Sequence, residues 1–302
     1  IYTSENILFL NEYRHAFRNS YLILDSGYTK GYKNTSTTKL PGSRSHIFAK
    51  FAYDFGQLKD YISNLEINLQ HISNDTYLKV HDIDTELAKS ENTILTNDIN
   101  YEYQDNDKFL GITASAFEDT TKKDRKKYEY IIPNIVFEKN VFSNDKLGIV
   151  DVYSNAFAKN YNVNQNTKMF VNDFTWKSNI FKNFNNIESR FEGLFKVVNY
   201  EADNADRYKT DGFNSEVSSA IAYNARMPLA KRSRSKNKIN FLTPKASLRF
   251  APGHMRNIQN DDLKLNYGNL FSINKNSQPD VLEDGISATY GIEISNNDLN
   301  GN

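Results

Sequence analysis

Two groups of basic residues are the first candidates for chemistry in this chain. Lys122, Lys123, Arg125, Lys126 and Lys127 precede one apolar stretch, and Lys231, Arg232, Arg234, Lys236 and Lys238 precede another. Grouped Lys and Arg pair with phosphate oxygens, Arg through a planar fork and Lys as a compact point charge. A charged hairpin turn is the plainer use of the same residues. Five histidines (His15, His46, His71, His81 and His254) are scattered, with no HExxH or triad-like grouping. His71 and His81 flank Asp75, Asp82, Asp84 and Glu86, oxygen donors of the kind that hold a divalent cation. Their spacing is not that of an EF-hand, and a solvated loop is the stronger expectation. No G-x-S-x-G, P-loop or G-x-G-x-x-G motif stands in a strand–turn–helix context. A carboxylate pair for glycoside hydrolysis depends on spatial separation, and with 37 acidic residues its presence in the sequence carries no information. The residues therefore assign no catalytic, cofactor-binding or metal site, and an enzyme is not expected.

Composition narrows the partners. The 37 basic residues balance the 37 acidic ones, so no global field gathers nucleic acid. Cysteine is absent, which removes disulfide scaffolds, thiol nucleophiles and zinc–thiolate sites. Mean hydropathy is −0.66, and no apolar run approaches the roughly 18 residues of a membrane helix. A transmembrane barrel remains open, because its strands turn polar residues inward at every second position. The chain begins at Ile1 with neither an initiator Met nor a secretory signal, as an internal piece or a mature product would.

The elements that position these residues have a period of two, the signature of strands. Ile47, Ala49, Phe51, Tyr53 and Phe55 oppose His46, Lys50 and Asp54. Leu65, Ile67 and Leu69 oppose Glu66, Asn68 and Gln70, and Ile99, Tyr101 and Tyr103 oppose Asn100, Glu102 and Gln104. Phe191, Phe195 and Val197 alternate with Arg190, Glu192 and Lys196, and Ile286, Ala288, Tyr290, Ile292 and Ile294 with Ser287, Thr289, Glu293 and Ser295. Weaker alternation predicts strands over Ile7–Phe17, Tyr21–Tyr28, Phe109–Phe117, Tyr128–Phe137, Val150–Phe157, Met169–Trp176, Val217–Ala225 and Phe241–Phe250. Many are near the 9–11 residues that cross a bilayer when tilted. Short turns such as Gln104–Lys108 alternate with long loops at Lys30–Ser45, Ser73–Glu91 and Met255–Asp284. Glu12, Arg14, Lys50, Arg190, Glu192 and Arg249 read as residues of a polar lumen. No linker-like shift in composition divides the chain. The expectation is one all-β domain over 1–302, a segment of an antiparallel transmembrane β-barrel.

From about Asn237 to Asn296 the sequence resembles the barrel domain of the lipopolysaccharide-assembly (LptD) family. Leu242, Thr243, Pro244 and Lys245 lead into Ala246–Phe250, followed by Ala251, Pro252 and Gly253. Asn269, Leu270, Phe271, Ser272, Ile273 and Asn274 come next, then Glu283, Asp284 and Gly285 before the strand with Tyr290 and Gly291. Supporting similarity lies in Asn11–Arg14, Gly42–His46 and Asn199–Ala202. The resemblance implies a Gram-negative outer-membrane translocon for lipopolysaccharide, plugged by an LptE-like lipoprotein. It also implies supply by an LptA-type periplasmic bridge through an N-terminal jellyroll, which has no counterpart in this sequence. The family's barrel lies at the large end of a range of about 8 to 26 strands, so the first strand or two and the C-terminal half are expected to lie outside this sequence. Lys231, Arg232 and Arg234 are the candidate contacts for lipopolysaccharide phosphate. The rivals are a generic porin or TonB-dependent channel, and a soluble all-β carbohydrate-active enzyme.

Overall fold

A computed structural model describes residues 7–30, 42–56, 61–161, 164–182, 186–210, 212–233, 238–253, 265–276 and 278–298. Every stretch with the two-residue alternation is a strand in it. The chain runs through β1 (Leu8–Ala16), β2 (Ser20–Thr29), β3 (Arg44–Asp54) and β4 (Tyr61–Ile72). A short helix α1 (Tyr77–His81) precedes β5 (Ile94–Asp105) and β6 (Lys108–Asp119), and a 3-10 turn η1 (Asp124–Lys127) precedes β7 (Tyr128–Asn144). Then come β8 (Gly148–Tyr161), β9 (Gln165–Lys177), β10 (Phe181–Lys182), β11 (Glu188–Asp203), β12 (Phe213–Arg226), β13 (Leu229–Ser233), β14 (Lys238–Ala251) and β15 (Gly285–Asp298). No helix among the described residues is long and apolar enough to cross a membrane.

The 15 strands form one antiparallel sheet in which neighbours in sequence are neighbours in space. Two short strands are continuations. β10 pairs with the start of β11, and β13 follows β12 along β14. The break between β12 and β13 falls at Pro228, which has no N–H to give to the ladder; the Met227 N–H still reaches the Pro244 carbonyl at 3.0 Å. Among the described residues β1 pairs with β2 alone and β15 with β14 alone, so the sheet is not closed.

Because strand direction alternates, successive connections fall on opposite edges of the sheet. One edge carries the connections 30–43, 73–93, 120–127, 204–212 and 252–284, with only 162–164 short. The other carries 17–19, 55–60, 106–107, 145–147 and 234–237, with 178–187 lengthened by β10. Long connections thus gather on one edge and tight turns on the other.

Two compact units share these strands: Ile1–Phe137 with Asn155–Met169 and Tyr200–Phe213, and Glu138–Ser154 with Phe170–Asn199 and Asn214–Asn302. The division cuts within strands rather than at a linker. In the first unit the registers of β1 to β6 put Glu12, Lys50, Glu66, Asn68, Asp98 and Asn100 on one face. Phe9, Tyr13, Phe51, Tyr53, Leu65, Ile67 and Ile99 fall on the other. The segment 73–93 folds onto the polar face near β2–β4, where Leu8, Phe48, Ile72, Tyr77, Leu78, Ile83, Ala88 and Leu95 make a buried cluster. A loop rather than a second sheet supplies this core.

A buried polar group fastens that loop. His46 Nε2 lies 3.1 Å from Asp25 Oδ1, and His46 Nδ1 lies 3.3 Å from the Tyr77 hydroxyl. Gly27 makes room, since a Cβ there would collide with the His46 ring and stand 2.8 Å from the Tyr77 oxygen. Arg14 adds an exposed tie to Glu86 at 2.6 Å. Burial, with the Asp25 carboxylate adding to it, pushes the Tyr77 hydroxyl up to about 12. A folded-state pKa above the unfolded value contributes stability that is complete below the unfolded pKa, here about 10, and is lost as pH rises through the folded one. Hydrogen exchange of residues 73–93 should therefore accelerate between about pH 10 and 12. In Tyr77→Phe that particular pH-dependent rise should vanish; an unchanged alkaline profile would show that Tyr77 does not control the loop.

Candidate functional site

The second unit repeats the two-faced design with deeper burial. Along β11 the even positions Glu192, Leu194, Lys196 and Val198 are buried, while Phe191 and Phe195 are exposed. On β12 and β14, Ala220, Ala222 and Arg249 are buried, and Val217, Ile221, Leu248 and Phe250 are exposed. Side chains that are large and apolar lie on the surface, and charged ones lie underneath.

What covers the charged face is the segment between β14 and β15. Lys196, 1% exposed, bonds both Asp173 carboxylate oxygens at 2.7 Å and donates to the Pro279 carbonyl at 2.5 Å. Arg249 donates from Nε to the Ile273 carbonyl at 2.6 Å and from Nη2 to the Glu283 carbonyl at 2.5 Å. Lys275 reaches back from the segment to Ser287 Oγ at 3.1 Å. Around these clamps Leu194, Ala220, Ala251 and Leu282 are buried together, with Ile273 packed against them. Burying a cation is costly unless it is paired and hydrogen-bonded; the Pro279 carbonyl completes the shell of Lys196, whereas Arg249 is held through Nε and Nη2 and its Nη1 has no partner among the described residues.

Asn269, Phe271, Asn274, Glu283, Asp284 and Gly285 shape this cover, whereas Leu242, Thr243 and Pro244 belong to the strand beneath it. Asn269 Nδ2 donates to the Lys275 carbonyl at 3.0 Å, and Asn274 Nδ2 to the Val281 carbonyl at 3.1 Å. Phe271 lies against β15, where a Cβ on Gly291 would stand 3.2 Å from its ring. Glu283 presents its carbonyl to Arg249, and Asp284 lies beside Gly253, whose Cβ would be 3.7 Å from its carboxylate. Gly285 opens β15 at φ +92, a backbone that only glycine adopts without strain. Leu242, Thr243 and Pro244 pair with Ile294, Glu293 and Ile292 in the β14–β15 ladder. Pro252 follows the last residue of β14.

Other sequence candidates are dispersed. Asp75 pairs with Lys127 at 2.6 Å, and Glu86 with Arg14. The Ser90 N–H donates to Asp84 at 2.7 Å and holds that carboxyl below its ordinary range, while Asp82 accepts from the Ser90 hydroxyl at 3.3 Å. Asp82 and Asp84 thus share Ser90 while Asp75 and Glu86 are held by different cations, and no metal-ligating group of three occurs among the described residues. Lys231 and Arg232 lie within β13, opposite Asn240 and Ile239, rather than in a turn. Lys231 is exposed; the Arg232 side chain and Arg234 lie outside the described residues. The expected lumen residues pair across the polar face: Lys50 with Glu66 at 3.1 Å, Glu12 with Arg14 at 2.6 Å, and Arg190 with Glu192.

A cavity of about 250 Å³ lies on the polar face of this unit, lined among others by Glu188, Arg190, Asn224, Arg226, Lys245 and Phe271. Arg226 pairs with Glu188 at 2.8 Å and Lys245 with Glu293. Hydrogen-bonding groups of both signs thus stand beside the Phe271 ring. No protein-family model matches this chain, and no curated protein sequence matches it.

Lys196 and Asp173 were not singled out from sequence. The available signal was a Lys set between Leu194 and Val198 on the same strand face, which requires a buried partner. Removing one member of a buried pair strands the other, at about 3–5 kcal/mol. Lys196→Ala should release the segment 265–284 to limited proteolysis, and adding Asp173→Leu should restore part of its protection. Equal protease resistance in the wild type and Lys196→Ala would disprove the clamp.

Proposed function

We propose that this chain forms part of the wall of an outer-membrane β-barrel of the LptD kind, which delivers lipopolysaccharide to the outer leaflet. The observation that carries the reading is the sheet's inverted amphipathicity. Phe9, Ile47, Leu69, Ile99, Ile221, Leu248, Tyr290 and Ile292 are exposed, while His46, Asp25, Lys196, Glu192 and Arg249 are buried. A soluble β-sandwich would turn Phe51, Tyr53, Leu65, Ile67 and Ile292 into its core, and none of them is buried here. Water is a poor solvent for such a face and hydrocarbon a good one.

The grouping of long connections on one edge and tight turns on the other adds support, since outer-membrane barrels place long loops outside and short turns in the periplasm. The resemblance supplies the cargo, and Asn269, Phe271, Asn274 and Glu283 among its residues shape the cover of the polar face. In this reading the polar face lines the path of the saccharide, and the apolar face meets lipid. An LptE-like lipoprotein occupies the lumen, and an LptA-type bridge supplies lipopolysaccharide. The chain makes and breaks no bond. A generic porin fits less well, since segments 73–93 and 265–284 lie across the polar face rather than leaving it open.

Two measurements separate the parts of the proposal. Ile99, 50% exposed in mid-strand, would tolerate Arg within about 0.5 kcal/mol in water. Facing lipid, Ile99→Arg should lower stability by about 2–4 kcal/mol, read by urea unfolding in lipid bilayers; a neutral result rejects the membrane face. Depleting the protein should reduce surface lipopolysaccharide and leave it in the inner membrane or periplasm. Unchanged surface lipopolysaccharide would reject the transport role while leaving the barrel wall standing.

A further inference from the structure

Strands β11, β12 and β14 build the floor of the cavity of about 250 Å³ from alternate positions. Glu188 and Arg190, Asn224 and Arg226, and Lys245 lie on the sheet face that also buries Lys196 and Arg249. Arg226 stands opposite Lys245, and Asn224 opposite Ser247, in the β12–β14 ladder. Phe271 closes the other side. Its turn is tied by the Ser272 N–H to the Asn269 carbonyl at 3.0 Å. The ring rests where Gly291, the ladder partner of Lys245, has no side chain. It is therefore held in place before any ligand arrives. Each cation of the lining already has a carboxylate: Arg226 reaches Glu188 at 2.8 Å, Arg190 pairs with Glu192, and Lys245 with Glu293. One polar atom is left over. Asn224 Oδ1 is buried and has no hydrogen-bond partner among the described residues. A buried acceptor without a donor carries a desolvation cost that a ligand's O–H removes.

We propose that this cavity is a subsite for one uncharged sugar ring of a saccharide chain, with its C–H face on Phe271 and a hydroxyl hydrogen given to Asn224 Oδ1. The proposal rests on the reading of the polar face as a saccharide path, and it adds a fixed stop on that path. Glu188 accepts from further hydroxyls, and the guanidinium groups of Arg190 and Arg226 donate to them. Phosphate is disfavoured because carboxylates already answer the cations, and an acyl chain because the floor is charged. Size agrees with a single ring, since the cavity falls below the roughly 300–1,000 Å³ that take a drug-sized ligand. Because Phe271 belongs to the covering segment, a bound sugar also stabilises that cover by mass action.

The test uses the full chain in phosphatidylcholine nanodiscs, with empty discs as the blank, and reads ligand binding by saturation-transfer NMR. The probes are methyl glycosides of glucose, galactose, mannose and N-acetylglucosamine, set against glucose 6-phosphate and inorganic phosphate. At least one neutral glycoside should bind in the millimolar range, ahead of both phosphates, and should slow proteolysis of segment 265–284 at saturation. Phe271→Leu keeps an apolar side chain against Gly291 but loses the ring face, and should weaken binding about fivefold. Asn224→Ala should weaken it by a similar factor. Asn224 lies on a strand rather than in the cover, so its variant decides the case even if Phe271→Leu loosens the cover. The subsite is overturned if the inserted wild type binds no neutral glycoside or prefers the phosphates. Unchanged affinity in Asn224→Ala overturns it too, as does a glycoside that binds without slowing proteolysis. A protein that does not insert into the discs overturns the membrane reading instead. Unchanged surface lipopolysaccharide on depletion removes the saccharide path while leaving glycoside binding to stand.

Discussion

A strand sends alternate side chains to opposite faces, and a single sheet therefore has two faces to satisfy. Every other feature of this molecule answers that constraint. The apolar face has no protein layer over it among the described residues, so its large side chains stay exposed. The polar face cannot be left as a row of bare charges, and the chain covers it with its own connections. Segments 73–93 and 265–284 do the work that a second sheet does in a sandwich. Their cores are small, and buried ion pairs and carbonyl contacts hold them where area burial alone would be slight.

The placement of charge follows from this arrangement. Lys196, Arg249 and His46 are buried where loop carbonyls, carboxylates and a tyrosine hydroxyl accept or share their hydrogen bonds, with Arg249 Nη1 left over among the described residues. Each buried group is therefore a joint between wall and cover. The glycines at 27 and 285 serve the same joints, one by leaving space for His46 and Tyr77, the other by turning the chain from the cover into β15. Such joints keep the covering segments in register with the strands beneath them.

The strands were legible in the sequence because period-two alternation survives wherever one face differs in polarity from the other. Ile47–Phe55 and Ile286–Ile294 are plain cases, with β3 beginning at Arg44 and β15 running on to Asp298. β13 was not legible, because Pro228 interrupts the alternation and the pairing resumes only through β14. α1 was hidden too: it has five residues, too few for a helical period to show. At the candidate site, Asn269, Phe271, Asn274, Glu283 and Gly285 were visible as a motif, yet their partners were not. Lys196 and Pro279 are far apart along the chain, and only the path of the covering segment brings them together.

The two fastenings differ in how water reaches them. At Arg14–Glu86 the side chains are 53% and 50% exposed, whereas the Lys196 side chain is 1% exposed. At physiological ionic strength the screening length is about 8 Å, and it acts on charges that counterions can approach. Salt should thus weaken the exposed Arg14–Glu86 tie, while the buried His46–Asp25–Tyr77 joint and the Lys196 clamp are left in place.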